Sequence, residues 1–150
     1  MPTLSDLSGV TNSFSVSGQI STTGGILPRV VTLVDAATVT INSAVTDIGV
    51  LLSLSQTTVF ANPTGTPVNG QLLQIRITSL ISRAISFGTA YQGASSLSLP
   101  FNTTGGSAED YIAFRYNSLD IEWDLTDTTM GSSGVSTVDS IAYAIALGGN

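Results

Sequence analysis

The chain contains no cysteine, no histidine and no lysine, and these absences narrow its chemistry before any motif is considered. Without histidine or cysteine it has no serine or cysteine triad, no thiol redox centre, no ordinary zinc site and no disulfide. Without lysine it lacks both a Schiff-base amine and the lysine of a phosphate loop. Charge is scarce as well: 9% of the residues are charged, against about 25% in an ordinary globular domain. Positive charge rests on Arg29, Arg76, Arg83 and Arg115 alone, and the net charge is −6. A nucleic-acid binder needs a basic patch to displace counterions from phosphates, so nucleic acid is not an expected partner. An anionic membrane surface is equally ill matched. No apolar run approaches the ~20 residues of a membrane-spanning helix. Residues 1–10 carry Asp6 and no basic side chain, so no secretory leader is expected.

What is present is serine and threonine, roughly a quarter of the 150 residues. Hydroxyls in place of Lys and Glu suit β-structure, because Thr tolerates strands and Ser tolerates turns. The length fits one domain, able to bury roughly 70% of its unfolded surface without metal or disulfide. Residues 1–28 stand apart. Their apolar side chains (Leu4, Leu7, Val10, Phe14, Val16, Ile20) are sparse among Ser, Thr and Gly. They read as an extended arm or edge segment, with Val16-Ser17-Gly18-Gln19-Ile20 as a weak strand, or else as a loose terminus.

Residues 29–150 read as one β-domain. Short strands separated by turn signals are predicted at 30–34, 38–41, 56–61, 72–78 and 85–87, the spacing of a sandwich or barrel. The run Ile48-Gly49-Val50-Leu51-Leu52 is apolar without alternation, so strand and helix stay open there. Leu73, Ile75 and Ile77 alternate with Gln74, Arg76 and Thr78, as in a half-buried antiparallel strand. Over 135–147, Ile141, Tyr143, Ile145 and Leu147 alternate with alanines. That pattern favours a strand, although Val138, Ile141 and Ile145 would share a helix face.

The most constrained piece is a hairpin over 111–126. With Asn117-Ser118-Leu119-Asp120 as its loop, Tyr116 faces Ile121, Phe114 faces Trp123 and Ile112 faces Leu125 on one apolar face. Arg115 meets Glu122 and Ala113 meets Asp124 on the other. One register supplies an apolar face, an aromatic pair and an ion pair, each pair worth about 0.2–1 kcal/mol.

Carboxylates are the remaining catalytic candidates. Asp120, Glu122 and Asp124 alternate at about 6.6–7 Å per two-residue step, formally within the ~5–9.5 Å of a glycosidase pair. The simpler reading is a solvent face with Glu122 neutralised by Arg115. No calcium-type loop surrounds them, so neither catalytic residue, metal nor cofactor is assigned. Gly105-Gly106-Ser107 and Gly131-Ser132-Ser133-Gly134 are turns, since no Lys follows them. Asn102-Thr103-Thr104 fits a glycosylation sequon, read here as accidental. Of the aromatics, Phe114 and Trp123 are expected in the core, and Tyr91 and Tyr111 lie off that apolar face, with exposure open to them.

Several stretches, taken in order, resemble one another's counterparts in a known family. They are Val59-Phe60-Ala61-Asn62-Pro63-Thr64-Gly65-Thr66-Pro67-Val68-Asn69-Gly70-Gln71 with the strand that follows, then Ser86-Phe87-Gly88-Thr89-Ala90-Tyr91. Asp110-Tyr111-Ile112-Ala113-Phe114-Arg115-Tyr116-Asn117 and Trp123-Asp124-Leu125 complete the set. This order resembles a module of tailed-bacteriophage virion proteins, over roughly residues 38–126. The resemblance implies an all-β, single antiparallel β-sandwich, jelly-roll-like, commonly a homotrimer and without enzymatic residues. It also implies a place in the virion after synthesis in the host cytoplasm. The family pattern carries lysines where Arg76-Ile77-Thr78 and Ile121-Glu122 stand here, so a shared partner surface does not carry over. A module with a short arm suits a capsid decoration or cement protein on the capsid surface, its arm (Leu4, Leu7, Phe14, Ile20) laid on the major capsid protein. The alternative is a tail or fibre subunit that binds a host-surface glycan or receptor, with Tyr91 or Trp123 as the stacking ring.

Overall fold

Runs of β-branched and aromatic residues broken by Gly, Pro, Asn and Ser turns favour short strands, and short strands are what form. The computed structural model describes residues 27–130, with nine strands and no helix among them. They are β1 Val30–Thr32, β2 Thr38–Val39, β3 Ile48–Leu51, β4 Thr58–Phe60, β5 Leu72–Thr78, β6 Ile85–Phe87, β7 Tyr91–Gln92, β8 Glu109–Asn117 and β9 Glu122–Thr128. The run at Ile48 is thus a strand. The arm as far as residue 26, the Gly131–Gly134 turn and the alternatives at 135–147 lie outside the described residues.

One sheet has the order β1-β3-β5-β8-β9-β7 and the other the order β2-β4-β6. From β1 to β6 the chain alternates between them. Each strand lies parallel to the strand two before it. The product is a short two-sheet winding of three turns (β1 with β2, β3 with β4, β5 with β6). Parallel neighbours need a crossover connection, and here the crossover runs through the facing sheet. Five of the seven strand pairings are parallel, which corrects the expectation of a wholly antiparallel sandwich. The reason is geometric. Alternation fixes which side chains face inward, and it looks the same whether a neighbour runs parallel or antiparallel.

Inward side chains from both sheets share one core. In the second sheet the register stacks Val39, Phe60 and Phe87 in a column. The rings of Phe60 and Phe87 lie 5.4 Å apart and 20° from parallel. In the first sheet Val31, Gly49 and Ile75 align. A Cβ on Gly49 would stand 2.9 Å from Leu33 Cδ1, so the missing side chain leaves room for Leu33.

The antiparallel part is β5, β8 and β9. β5 pairs with β8 over seven residues, from Leu72 opposite Arg115 to Thr78 opposite Glu109. In the β8–β9 hairpin Phe114 faces Leu125, Tyr116 faces Trp123, Arg115 faces Asp124 and Asn117 faces Glu122. This corrects the expected register by two residues along β9. A two-residue shift preserves faces, so Ile112, Phe114, Trp123 and Leu125 are all buried. The expected Arg115–Glu122 and Tyr116–Ile121 pairings do not form. The loop lies one residue later because Asn117 closes it: its Oδ1 accepts from Leu119 N and its amide donates to Asp120. A register shift between Ala113 and Phe114 then sets Ile112 opposite Thr128 instead of Leu125. Thr126 fills the bulge, its hydroxyl donating to the Ala113 carbonyl at 3.1 Å.

Candidate interaction surfaces

The carboxylates do not converge. Asp120 sits in the hairpin turn and accepts from Asn117 at 2.8 Å. Glu122 accepts from Gln92 Nε2 at 3.2 Å, and Asp124 lies across from Arg115. Among the described residues no three potential metal ligands cluster. The ion pairs there join other residues, Arg29 with Asp47 at 2.6 Å and Arg76 with Glu109. Asp110, buried on β8, accepts from the backbone N–H and hydroxyl of Thr104, a tie between strand and loop.

Three acids are held below the usual carboxylate range by donors. For Asp47 the donor is the Arg29 side chain. For Asp35 it is chiefly the Ser55 hydroxyl, at 2.6 Å. For Glu109 it is the Tyr111 hydroxyl and then Arg76. Each of these links is a local clamp.

The aromatics proposed for sugar stacking are out of reach. Tyr91 and Trp123 are each 2% exposed, so the exposure left open for Tyr91 is not realised. It lies on β7, whose partner is β9, and its ring packs 4.9 Å from Phe114 and 5.3 Å from Phe87. Burial pushes its phenol above the ordinary tyrosine value. Tyr111 is half-buried and its hydroxyl donates to Glu109 at 3.0 Å.

The surface features that residue patterns missed are apolar. Leu119 is 90% exposed and Ile121 71%, both in the hairpin loop. Beside them stands the 68–71 turn. Asn69 Oδ1 accepts from Ser118 N at 3.1 Å and Gly70 N donates to the Tyr116 carbonyl. Exposed Val68 and Leu72 flank that turn, so one end of the molecule carries four uncovered aliphatic side chains. Ile121 also has φ 60°, a left-handed conformation that is an outlier for a β-branched residue. Strain of this kind costs about 1–3 kcal/mol, and nothing in the packing repays it at an exposed site. The sequence signal was the Asn117-to-Asp120 turn, read one residue too early.

A second feature is a cleft of about 620 Å³ lined by Ser82, Ser98, Phe101, Asn102, Thr104 and Met130 among others. Phe101 on its rim is 70% exposed, and among the described residues no charged side chain lines it. The candidate arm contacts Leu4, Leu7, Phe14 and Ile20 lie outside the described residues.

No family model and no curated protein matches this chain. Among the described residues no helix is long and apolar enough to cross a membrane.

Proposed function

We propose that this chain is a structural protein of a tailed-bacteriophage virion, a capsid decoration or cement protein that bridges capsomers of the major capsid protein as a homotrimer. The observation that carries the reading is where the resembling motifs fall. Phe60, Phe87, Tyr91 and Phe114, one or two from each of the first three stretches, meet ring against ring in a single cluster. Tyr116 and Trp123 pair beside it at 5.2 Å. The ordered motif set is therefore the core of one module, which favours a shared fold over a chance run of turns. The jelly-roll-like form implied by the resemblance belongs to this proposal, modified by the parallel winding of β1 to β6.

Shell stabilisation asks for adhesive surface and no chemistry. Apolar area buried between capsomers contributes about 25 cal/mol per Å², and a stable interface buries about 1,200–2,000 Å² in total. The aliphatic end at Val68, Leu72, Leu119 and Ile121 is the described surface best suited to that role. Quantifying the protein on purified particles tests the reading. Hundreds of copies spread over the head are expected for a shell-wide cement, whereas a few copies at the tail would sink it. Light scattering is expected to return a trimer.

The cleft beside Phe101 favours the tail or fibre alternative, in which an uncharged glycan lies among hydroxyls with Phe101 as its stacking ring. Binding on a glycan array that disappears with Phe101→Ala would select this alternative over the first.

A further inference from the structure

The turn at 68–71 holds the most labile dipeptide of the chain. Of its seven asparagines, Asn69 alone is followed by glycine. Such an asparagine loses its amide nitrogen readily, because a residue without a Cβ lets the next backbone nitrogen approach the side-chain carbonyl. The fold nevertheless requires this glycine. Gly70 has φ 81°, and Gln71 N donates to the Val68 carbonyl at 3.0 Å. These are the marks of a type II turn, whose third position demands positive φ. Gly70 and Gln71 together oppose Tyr116. Gly70 N donates to the Tyr116 carbonyl, and Tyr116 N donates to the Gln71 carbonyl, each at 2.8 Å. A glycine bulge of this kind ends the β5–β8 ladder.

We propose that Asn69 is a deamidation site, and that the β8–β9 hairpin is the lock that keeps it an amide. In the reaction Gly70 N gives up its proton and attacks Asn69 Cγ. A C–N bond forms, the bond from Cγ to the amide nitrogen breaks, and ammonia leaves with a proton. Water then opens the resulting succinimide at either carbonyl, giving aspartate or isoaspartate. The hairpin holds both reacting groups. The proton that Gly70 N must lose lies on the Tyr116 carbonyl of β8. The carbonyl that must be attacked is turned to the hairpin loop, where Asn69 Oδ1 accepts from Ser118 N at 3.1 Å. Gln71 Oε1 accepts from Val68 N at 3.1 Å and braces the turn from within. Closing the ring requires the Asn69 backbone to rotate, so both bonds to the hairpin must break first.

The two products differ in what they do to the lock. Aspartate still offers an oxygen to Ser118 N. Isoaspartate carries the backbone through the former side chain, adds a carbon to it and draws Gly70 N off Tyr116. The inference stands apart from the virion reading and meets it at one point: exposed Val68 and Leu72 flank the turn, so the new carboxylate falls at the aliphatic end.

The test incubates the full chain at mildly alkaline pH, folded and in urea, and follows it by tryptic mapping. Arg29 and Arg76 bound the peptide that carries Asn69, and fragmentation separates it from Asn42 and Asn62. In urea Asn69 is expected to lose its amide before every other asparagine. In the folded chain the loss is expected to be slower by about ten- to a hundredfold, the factor for surrendering two hydrogen bonds before reaction. Equal rates in the two states would overturn the lock, and another asparagine reacting first in urea would overturn the site. Two variants assign the lock to the hairpin. Ser118→Pro removes the N–H that Asn69 Oδ1 accepts, and Asn117→Ala removes the two bonds that shape the loop. Each is expected to speed the loss at Asn69 in chains that circular dichroism shows folded, with the rate in urea unchanged. Parent-like rates in both would overturn the hairpin's part, and the comparison within the parent decides if neither variant folds. Copy number on particles is unaffected by either result, so the two readings fail separately.

Discussion

Strands β1 and β2 and strands β5, β8 and β9 obey the same inward–outward alternation, yet they bury it to different depths. In β5 and β8 every inward side chain from Leu73 to Ile77 and from Asp110 to Phe114 is covered. In β1 none is fully covered, and in β2 only Val39 is. In the deep part β8 has a long antiparallel partner on each side, and β5 and β9 each pair with it on one side and with a parallel strand on the other. The shallow part has parallel strands of two and three residues, each with a neighbour on one side only among the described residues. Depth here follows position in the sheet and not hydrophobicity, since Val30 and Val34 are as apolar as the buried residues of β5.

The strongest way to sharpen this contrast is to empty one site in each part. Phe114→Ala in β8 is expected to cost about 3–5 kcal/mol, the range for a large aromatic lost from a packed core. Val39→Ala in β2 is expected to cost about 1.5 kcal/mol, the transfer value of two methylene equivalents. Urea midpoints at constant slope would measure both, and equal losses would erase the distinction.

Two glycines of the connection between β4 and β5 differ in another way. Gly65 has φ 94°, and a Cβ there would meet Asn42 Oδ1 at 2.7 Å and Ala44 N at 2.8 Å. Gly65→Ala therefore adds a clash to the conformational cost, and a loss of about 2–3 kcal/mol is expected. Gly70, with φ 81° and nothing within 4 Å of a Cβ, should lose only about 1 kcal/mol as Ala. Thermal unfolding of the pair separates strain from crowding.

Acid should loosen the shallow part through Asp35 and Asp47. Both have folded-state pKa values below the ordinary 3.8. Their contribution is present above that value and is lost as pH falls through the lower folded one, because the unfolded chain takes up protons first. Exchange of the β1–β3 amides is expected to accelerate below about pH 4. Asp47→Asn should flatten that dependence, and an unchanged profile would count against the Arg29 clamp. The smallest effect is expected at the hairpin loop. Ile121→Gly should relieve the φ 60° strain, leaving stability unchanged or raised by about 1 kcal/mol. If the aliphatic end meets the shell, the same variant loses particle binding, read by co-sedimentation with shells.

Much of this was legible in residues, and the misses share a cause. Strand positions at 72–78 and 85–87 and the faces of Ile112, Phe114, Trp123 and Leu125 followed from alternation and turn residues. The hairpin register slipped because Asn117 can open the loop or close the strand, and both choices keep the same faces. The residues leave the burial of Tyr91 open because a two-residue strand carries too little pattern to reveal its partner. Ile121 was read as core, since an apolar residue beside a strand gives no sign of a left-handed backbone.

The residues by themselves determined that most of the described chain would be strands, about where they break, and which face of 72–78 and of the hairpin turns inward, because those are local consequences of side-chain shape and period. They also determined the chemistry it lacks. Only the tertiary structure decided that the early strands run parallel between two sheets, and that Tyr91 is buried and Ile121 is not. Those outcomes depend on which distant strand becomes a neighbour, and backbone hydrogen bonds, identical at every residue, leave no mark of that choice in the sequence.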